Sequence, residues 1–131
     1  MLEGREVSSE QLVHIFGARI QKTGRELNLT TTELFEQAFV QARECDRLRR
    51  EGSHKGILFG LPLTVKDCQH MLNVRTTCGN MSMAHHISQQ DSLVVACLRE
   101  QGAVFLARGN VPQMMYTSHT DSFWGCARNP H

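Results

Sequence analysis

Gly56-Ile57-Leu58-Phe59-Gly60-Leu61-Pro62-Leu63-Thr64-Val65-Lys66-Asp67 is the stretch whose reading decides the fold. It is apolar, punctuated by glycine and rich in strand-forming residues. Pro62 has no N–H to give a ladder, so the run divides into a turn or edge piece and a strand from about Leu63 to Lys66. A second apolar run, Ala103-Val104-Phe105-Leu106-Ala107, lies between Gly102 and Gly109 and reads as a buried strand. Between the two, Asp91 or Ser92 caps a helix through Leu93, Val94, Val95, Ala96, Cys97 and Leu98 that ends before Gly102. That helix is apolar over much of its circumference, which predicts burial on more than one side. Strand, long connection, helix and strand in this order predict parallel pairing with a right-handed crossover. The connection from Cys68 to Gln90 shows no sustained period and reads as a long loop with one short helical turn. A loop of that length is functional or incomplete more often than filler.

Upstream, two helices are expected. Ser8 with Gln11 fits a capping box for a helix from about Ser9 to Lys22. Leu12, Val13, Phe16 and Ile20 give it one apolar stripe, and Gly24 is its expected stop. Thr30 with Glu33 fits a second capping box, with Leu29 and Leu34 at the positions of a hydrophobic staple. Leu34, Phe35, Ala38, Phe39, Ala42, Cys45 and Leu48 then continue one face for about four turns. Arg47, Arg49 and Arg50 crowd its C-terminal end, where cations suit the helix dipole, and Gly52 closes it. These arginines read as a solvated helix end. Downstream, Pro112 suits the first turn of a short helix through Gln113, Met114 and Met115. The tail from Phe123 to His131 reads as irregular.

Composition narrows the function classes. The chain has 131 residues, 14 Lys and Arg against 13 Asp and Glu, and a formal net charge of +1. Such balance offers no basic field for nucleic acid or an anionic membrane. No apolar run is long enough for a transmembrane helix, and Met1-Leu2-Glu3-Gly4-Arg5-Glu6 has no signal-like apolar core. A cytoplasmic location is expected. Cys45, Cys68, Cys78, Cys97 and Cys126 are odd in number and widely spaced, so free thiols are expected, with Cys45 and Cys97 acting as small buried hydrophobes.

Few residues invite chemistry. Lys66 ends an apolar strand, where an ammonium is costly unless paired. It is either a base of depressed pKa or a lysine that pairs with Asp67 or a solvent-facing acid. Cys68, His70, Cys78, His85 and His86 follow no standard zinc spacing, so no metal is expected. Met81, Met83, Met114 and Met115 read as core or pocket filler. None of the eight serines lies in a Gly-rich turn that would expose a nucleophile beside backbone donors.

Two blocks nevertheless carry a resemblance. Residues 56–67, with Pro62 and then Lys66-Asp67, resemble the Gly-Pro-Lys-Asp block of the amidase signature family. Gly102 to Met115, with Asn110-Val111-Pro112-Gln113, then Phe123-Trp124-Gly125 and Asn129-Pro130, are similar to that family's next block. The Asn110-Val111-Pro112-Gln113 and Leu58-Phe59-Gly60-Leu61-Pro62 wording is most similar to the fatty acid amide hydrolase branch. The resemblance implies an α/β fold with a mixed central sheet, of which residues 1–131 are the N-terminal portion of a single domain: helices plus first strands. It implies hydrolysis of carboxylic amides, lipid amides among them, by a Ser–Ser–Lys triad, with no cofactor. Lys66 matches the base and Met115 a residue lining the substrate site. The family's Gly- and Ser-rich signature follows the Asn-Pro that here is Asn129-Pro130. Both triad serines are therefore expected to be missing, and the chain alone to be inactive. Asn80 departs from the Ser of many relatives.

A small-molecule amide is thus the expected partner of a full-length relative, and a homo-oligomer is left open. Two alternatives stand beside this reading: a short non-catalytic interaction module, and a fragment of a glutaminyl-tRNA amidotransferase A-type subunit. The Asn110-Val111-Pro112-Gln113 wording leans away from the second of these.

Overall fold

The computed structural model describes Leu2, residues 6–53 and residues 55–131. Of the N-terminal stretch read for a signal, Met1, Glu3, Gly4 and Arg5 lie outside the described residues. The elements are α1 (Ser9–Arg19), a π-helical turn (Ile20–Gly24), β1 (Thr30–Glu33), α2 (Phe35–Arg50), β2 (Pro62–Lys66), α3 (Leu93–Glu100) and β3 (Val104–Gly109). Short 3-10 turns occur at Met81–Met83 and Gln113–Met115.

Among the described residues the strands form one mixed sheet in the order β1-β3-β2. β2 runs parallel to β3, with Pro62 opposite Val104 and Lys66 opposite Gly109. This is the pairing the strand–loop–helix–strand order predicts. β3 is central because its side chains are apolar on both faces: Val104, Phe105, Leu106 and Ala107 are all buried. Val104 and Leu106 face α1 and α2 and pack with Val13, Ala38, Ala42 and Cys45. Phe105 points the other way, to Val65, Met71, Val74 and Val95. The result is a mixed α/β layer structure.

Several expectations change. Thr30 and Glu33 do not form a capping box. They lie in β1, which pairs antiparallel with β3, and the Leu34 N–H extends that ladder to the Leu106 carbonyl at 2.8 Å. Leu34 becomes the N-cap of α2 with no side-chain cap, so the Leu29–Leu34 staple fails as well. Three β-branched threonines suit a strand, and Glu33 is taken by Arg25. The Ser8–Gln11 capping box is present, with Gln11 N–H on Ser8 Oγ at 3.0 Å and Ser8 N–H on Gln11 Oε1 at 2.8 Å. Gly24 is not the stop; it is buried in the π-helical turn, and the backbone reverses at Asn28, φ 53°.

Arg49 is no solvated helix end. Its guanidinium is buried and donates to the Phe59 carbonyl at 2.6 Å, Ser9 Oγ at 3.2 Å and Asp46 Oδ1 at 3.2 Å. It thereby ties α1, α2 and the approach to β2 together. Ser92 caps α3, but burial on more than one side does not follow. Val95 is buried, whereas Leu93 is 80% exposed, Val94 is 51% exposed and Cys97 is exposed. One flank of α3 reaches the sheet, and no described element covers the other. After Pro112 the chain makes only a 3-10 turn, because Met114 and Met115 take positive φ (52° and 55°) and break helical winding.

Candidate functional site at the C-terminal end of the parallel strands

Lys66 is the last residue of β2, and its backbone is held on three sides. Its ladder partner is Gly109, the next N–H (Asp67) reaches the Gly109 carbonyl at 2.9 Å, and its own carbonyl accepts from Arg108 Nη2 at 3.2 Å. The Lys66 side chain is exposed. It does not pair with Asp67, whose carboxylate is fully buried and turned to Arg108.

The Asp67–Arg108 pair is the centre of this end of the sheet. Both side chains are out of solvent, with Arg108 Nη2 to Asp67 Oδ1 at 3.4 Å. Arg108 also donates to the Gln69 carbonyl at 2.6 Å, the Arg75 carbonyl at 3.3 Å and Thr76 Oγ1 at 3.3 Å. Burial pushes the guanidinium pKa down, and the charge of Asp67 opposes that. Asp67 accepts the Thr77 N–H at 3.1 Å and the Thr77 hydroxyl. Thr77 Oγ1 in turn accepts from Gly79 N–H at 3.2 Å and Trp124 Nε1–H at 3.0 Å. One hydroxyl thus uses its single donor and both lone pairs.

The chain leaving β3 is fixed by Asn110. Its amide donates to the Asn28 carbonyl at 2.9 Å and the Gly125 carbonyl at 3.0 Å, while its oxygen accepts from Val111 N–H and Ser122 Oγ. Trp124 lies under the Arg75 guanidinium, 5.0 Å from its ring centre. Met114 N–H reaches the Cys78 carbonyl at 2.8 Å, so the segment after β3 rests on the loop after β2. Met115 is 48% exposed on the 3-10 turn that follows β3. A neighbouring open groove is lined by Gln113, Met114, Tyr116, Thr117, His119 and Asp121, without Met115.

Lys66 and Met115 therefore leave the same end of the sheet from adjacent strands. His70 hydrogen-bonds Ser88 Oγ through Nδ1 at 2.9 Å and meets His86 edge-on at 5.9 Å. Ser88 donates to Thr76 Oγ1, which joins these groups to Arg108. Sequence reasoning missed Asp67, Thr77 and Arg108 as buried partners. The available signal was a charge at the C-terminal edge of each apolar strand, with opposite signs.

The family model described as Amidase matches residues 11–131. The chain belongs to the amidase signature family. It is 33% identical to "Amidase 1" of Gibberella moniliformis over 132 residues, covering 99% of this chain and 25% of that protein. It is also 33% identical to the A-type subunit of the glutamyl-tRNA(Gln) amidotransferase of Nitrosococcus oceani, covering 98% of this chain and 27% of that protein. A solved structure titled "Fatty acid amide hydrolase" superposes with TM-score 0.87 at 26% identity, covering 98% of this chain and 23% of that one. The chain spans about a quarter of the length of the curated relatives it matches. Its sheet and helices correspond to the N-terminal part of the family's fold.

Proposed function

We propose that residues 1–131 form the N-terminal portion of a single amidase domain and carry its base, Lys66. The observation that supports this is the position of Lys66. It closes β2 at the C-terminal end of a parallel pair, where open α/β sheets bind ligands, on a backbone anchored by the buried Asp67–Arg108 pair. In the complete triad, a neutral Lys66 Nζ accepts the proton of a bridging serine, which accepts that of the nucleophilic serine as its Oγ attacks the amide carbonyl carbon. The leaving amine takes the proton back, and water hydrolyses the acyl-enzyme. None of the eight serines here has the setting of either serine, so this chain alone is inactive.

The substrates of the whole protein are carboxylic amides. The Asn110-Val111-Pro112-Gln113 block favours fatty acid amides, with Met115 lining the acyl site. Service as an amidotransferase component is the second reading, supported by the equal identity to the Nitrosococcus oceani protein.

A fluorophosphonate probe of activated serines tests the first claim: no specific labelling of the 131-residue chain is expected, and labelling would overturn it. In a full-length amidase that carries this segment, Lys66→Ala should lower amide hydrolysis by about 10²–10⁴-fold, the range of general-base catalysis. Unimpaired turnover would remove Lys66 from the mechanism. Hydrolysis of long-chain primary amides in preference to glutamine would separate the two readings.

A further inference from the structure

The loop after Lys66 returns to its own start. The Asp67 carbonyl accepts the Cys78 N–H at 2.9 Å. Covalent dimensions then hold the Cα atoms of Cys68 and Cys78 within about 7 Å. That is the outer bound of the separation a disulfide spans. Both cysteines are free and half-buried, so neither is locked away from a small reagent. Each thiol also acts electrostatically on the same Arg108 guanidinium, and a charge on Cys68 pushes the Cys78 thiol up, which puts both sulfurs in one neighbourhood. The remaining cysteines are placed differently: Cys45 is buried on α2, Cys97 is exposed on α3 and Cys126 is exposed in the tail.

We propose that Cys68 and Cys78 are an oxidisable pair that closes a disulfide across the base of the 68–78 loop, directly behind Lys66. The oxidant is a low-molecular-weight disulfide. The Cys68 thiolate attacks one of its sulfurs and expels one thiolate, leaving a mixed disulfide on Cys68. The Cys78 thiolate then attacks Cys68 Sγ and expels the second. The protein loses two electrons and two protons; the small disulfide gains both and leaves as two thiols. The new bond would staple the turn that already carries Asp67, Thr76 and Thr77, and this holds whatever reaction Lys66 serves.

The test uses the 131-residue chain with Cys97→Ser, so that trypsin leaves Cys68 and Cys78 as single cysteines on separate peptides, cut after Arg75. The folded chain and the same chain in urea are equilibrated with a reduced and oxidised glutathione buffer, trapped with N-ethylmaleimide and mapped by mass spectrometry. The expected product is the two peptides joined with loss of two hydrogens. Its ratio to the open form should be at least tenfold higher in the folded chain than in urea. A ratio no higher when folded, or two separate glutathione adducts in place of the joined peptides, would overturn the proposal. Cys78→Ser should stop at a glutathione adduct on Cys68; an unmodified Cys68 there would also overturn it.

Discussion

Asp67→Asn removes one charge and changes one atom, yet no orientation of the new amide satisfies its surroundings. In the native chain the Asp67 carboxylate accepts from Thr77 N–H, the Thr77 hydroxyl and Arg108 Nη2. Thr77 Oγ1 has both lone pairs committed to Gly79 N–H and Trp124 Nε1–H, so its proton must go to Asp67. A side-chain amide in this place, with its nitrogen toward Thr77 Oγ1, meets that proton. Turned over, its nitrogen meets the Thr77 N–H and the Arg108 guanidinium. Either way a donor faces a donor, and the Arg108 charge, 0% exposed, loses its counter-charge. Removing one member of a buried ion pair costs about 3–5 kcal/mol. A domain's whole stability is about 5–15 kcal/mol, so this is a large fraction of it. With a urea m-value of about 1–3 kcal/mol/M, the unfolding midpoint should fall by about 1–5 M. Trp124 is the single tryptophan and hangs on Thr77, so its emission reports both global unfolding and local loosening. A midpoint within about 0.3 M of the parent, which is less than about 1 kcal/mol on the same m-value, would show that the network is not what holds this end of the sheet.

Arg49→Met should destabilise by about 2–3 kcal/mol in the same urea assay, since it removes the guanidinium's hydrogen bonds to the Phe59 carbonyl and Ser9 Oγ, while Arg47→Met on the exposed side of α2 leaves the midpoint unchanged. Gly60→Ala should cost about 2–4 kcal/mol, because φ is +77° and the added Cβ would run into Ser9 Oγ; a neutral result by thermal melting would contradict that close approach. Asp91 is held below the usual carboxylate range, chiefly by its hydrogen bond from Arg99. Its stabilising effect is therefore full above about pH 3.9, the unfolded value, and is lost as pH falls through the lower folded value, so Asp91→Asn should weaken the chain at pH 7 and converge with the parent once pH has fallen below that folded value.

The elements legible in the sequence are those whose signals are local. The Ser8–Gln11 box caps α1, Ser92 caps α3, and the two Gly-bounded apolar runs are β2 and β3 in parallel. Thr30 to Glu33 misled because the same four residues satisfy a capping box and a β-branched strand. Only pairing with β3, more than seventy residues later, decides between them. The outer face of α3 misled for a different reason. An apolar pattern tells what a helix can cover, not whether the chain supplies a cover, and Leu93 and Val94 stay exposed. Arg49, Asp67 and Arg108 were illegible as buried groups because their partners come from other elements. A charged residue is read as solvated until the fold brings a counter-charge or a carbonyl to it.

Lys66 separates two requirements that a lysine base must meet. One is position, and residues 1–131 meet it: the β2–β3 ladder, the Asp67 N–H and the Arg108 bond to the Lys66 carbonyl leave its backbone no freedom. The other is desolvation, which makes the neutral amine accessible at working pH. That is not met here, because β2 is a sheet edge and the Lys66 side chain stands in solvent. The two requirements therefore come from different parts of the structure. The buried Asp67–Arg108 pair spends its interactions on the backbone beneath the lysine, not on the amine itself. Had Asp67 paired with Lys66, the amine would be held protonated by a neighbouring carboxylate, and a base there would be disabled. By turning Asp67 to Arg108, the fold keeps a counter-charge away from the Lys66 amine while still using it to fix the strand end.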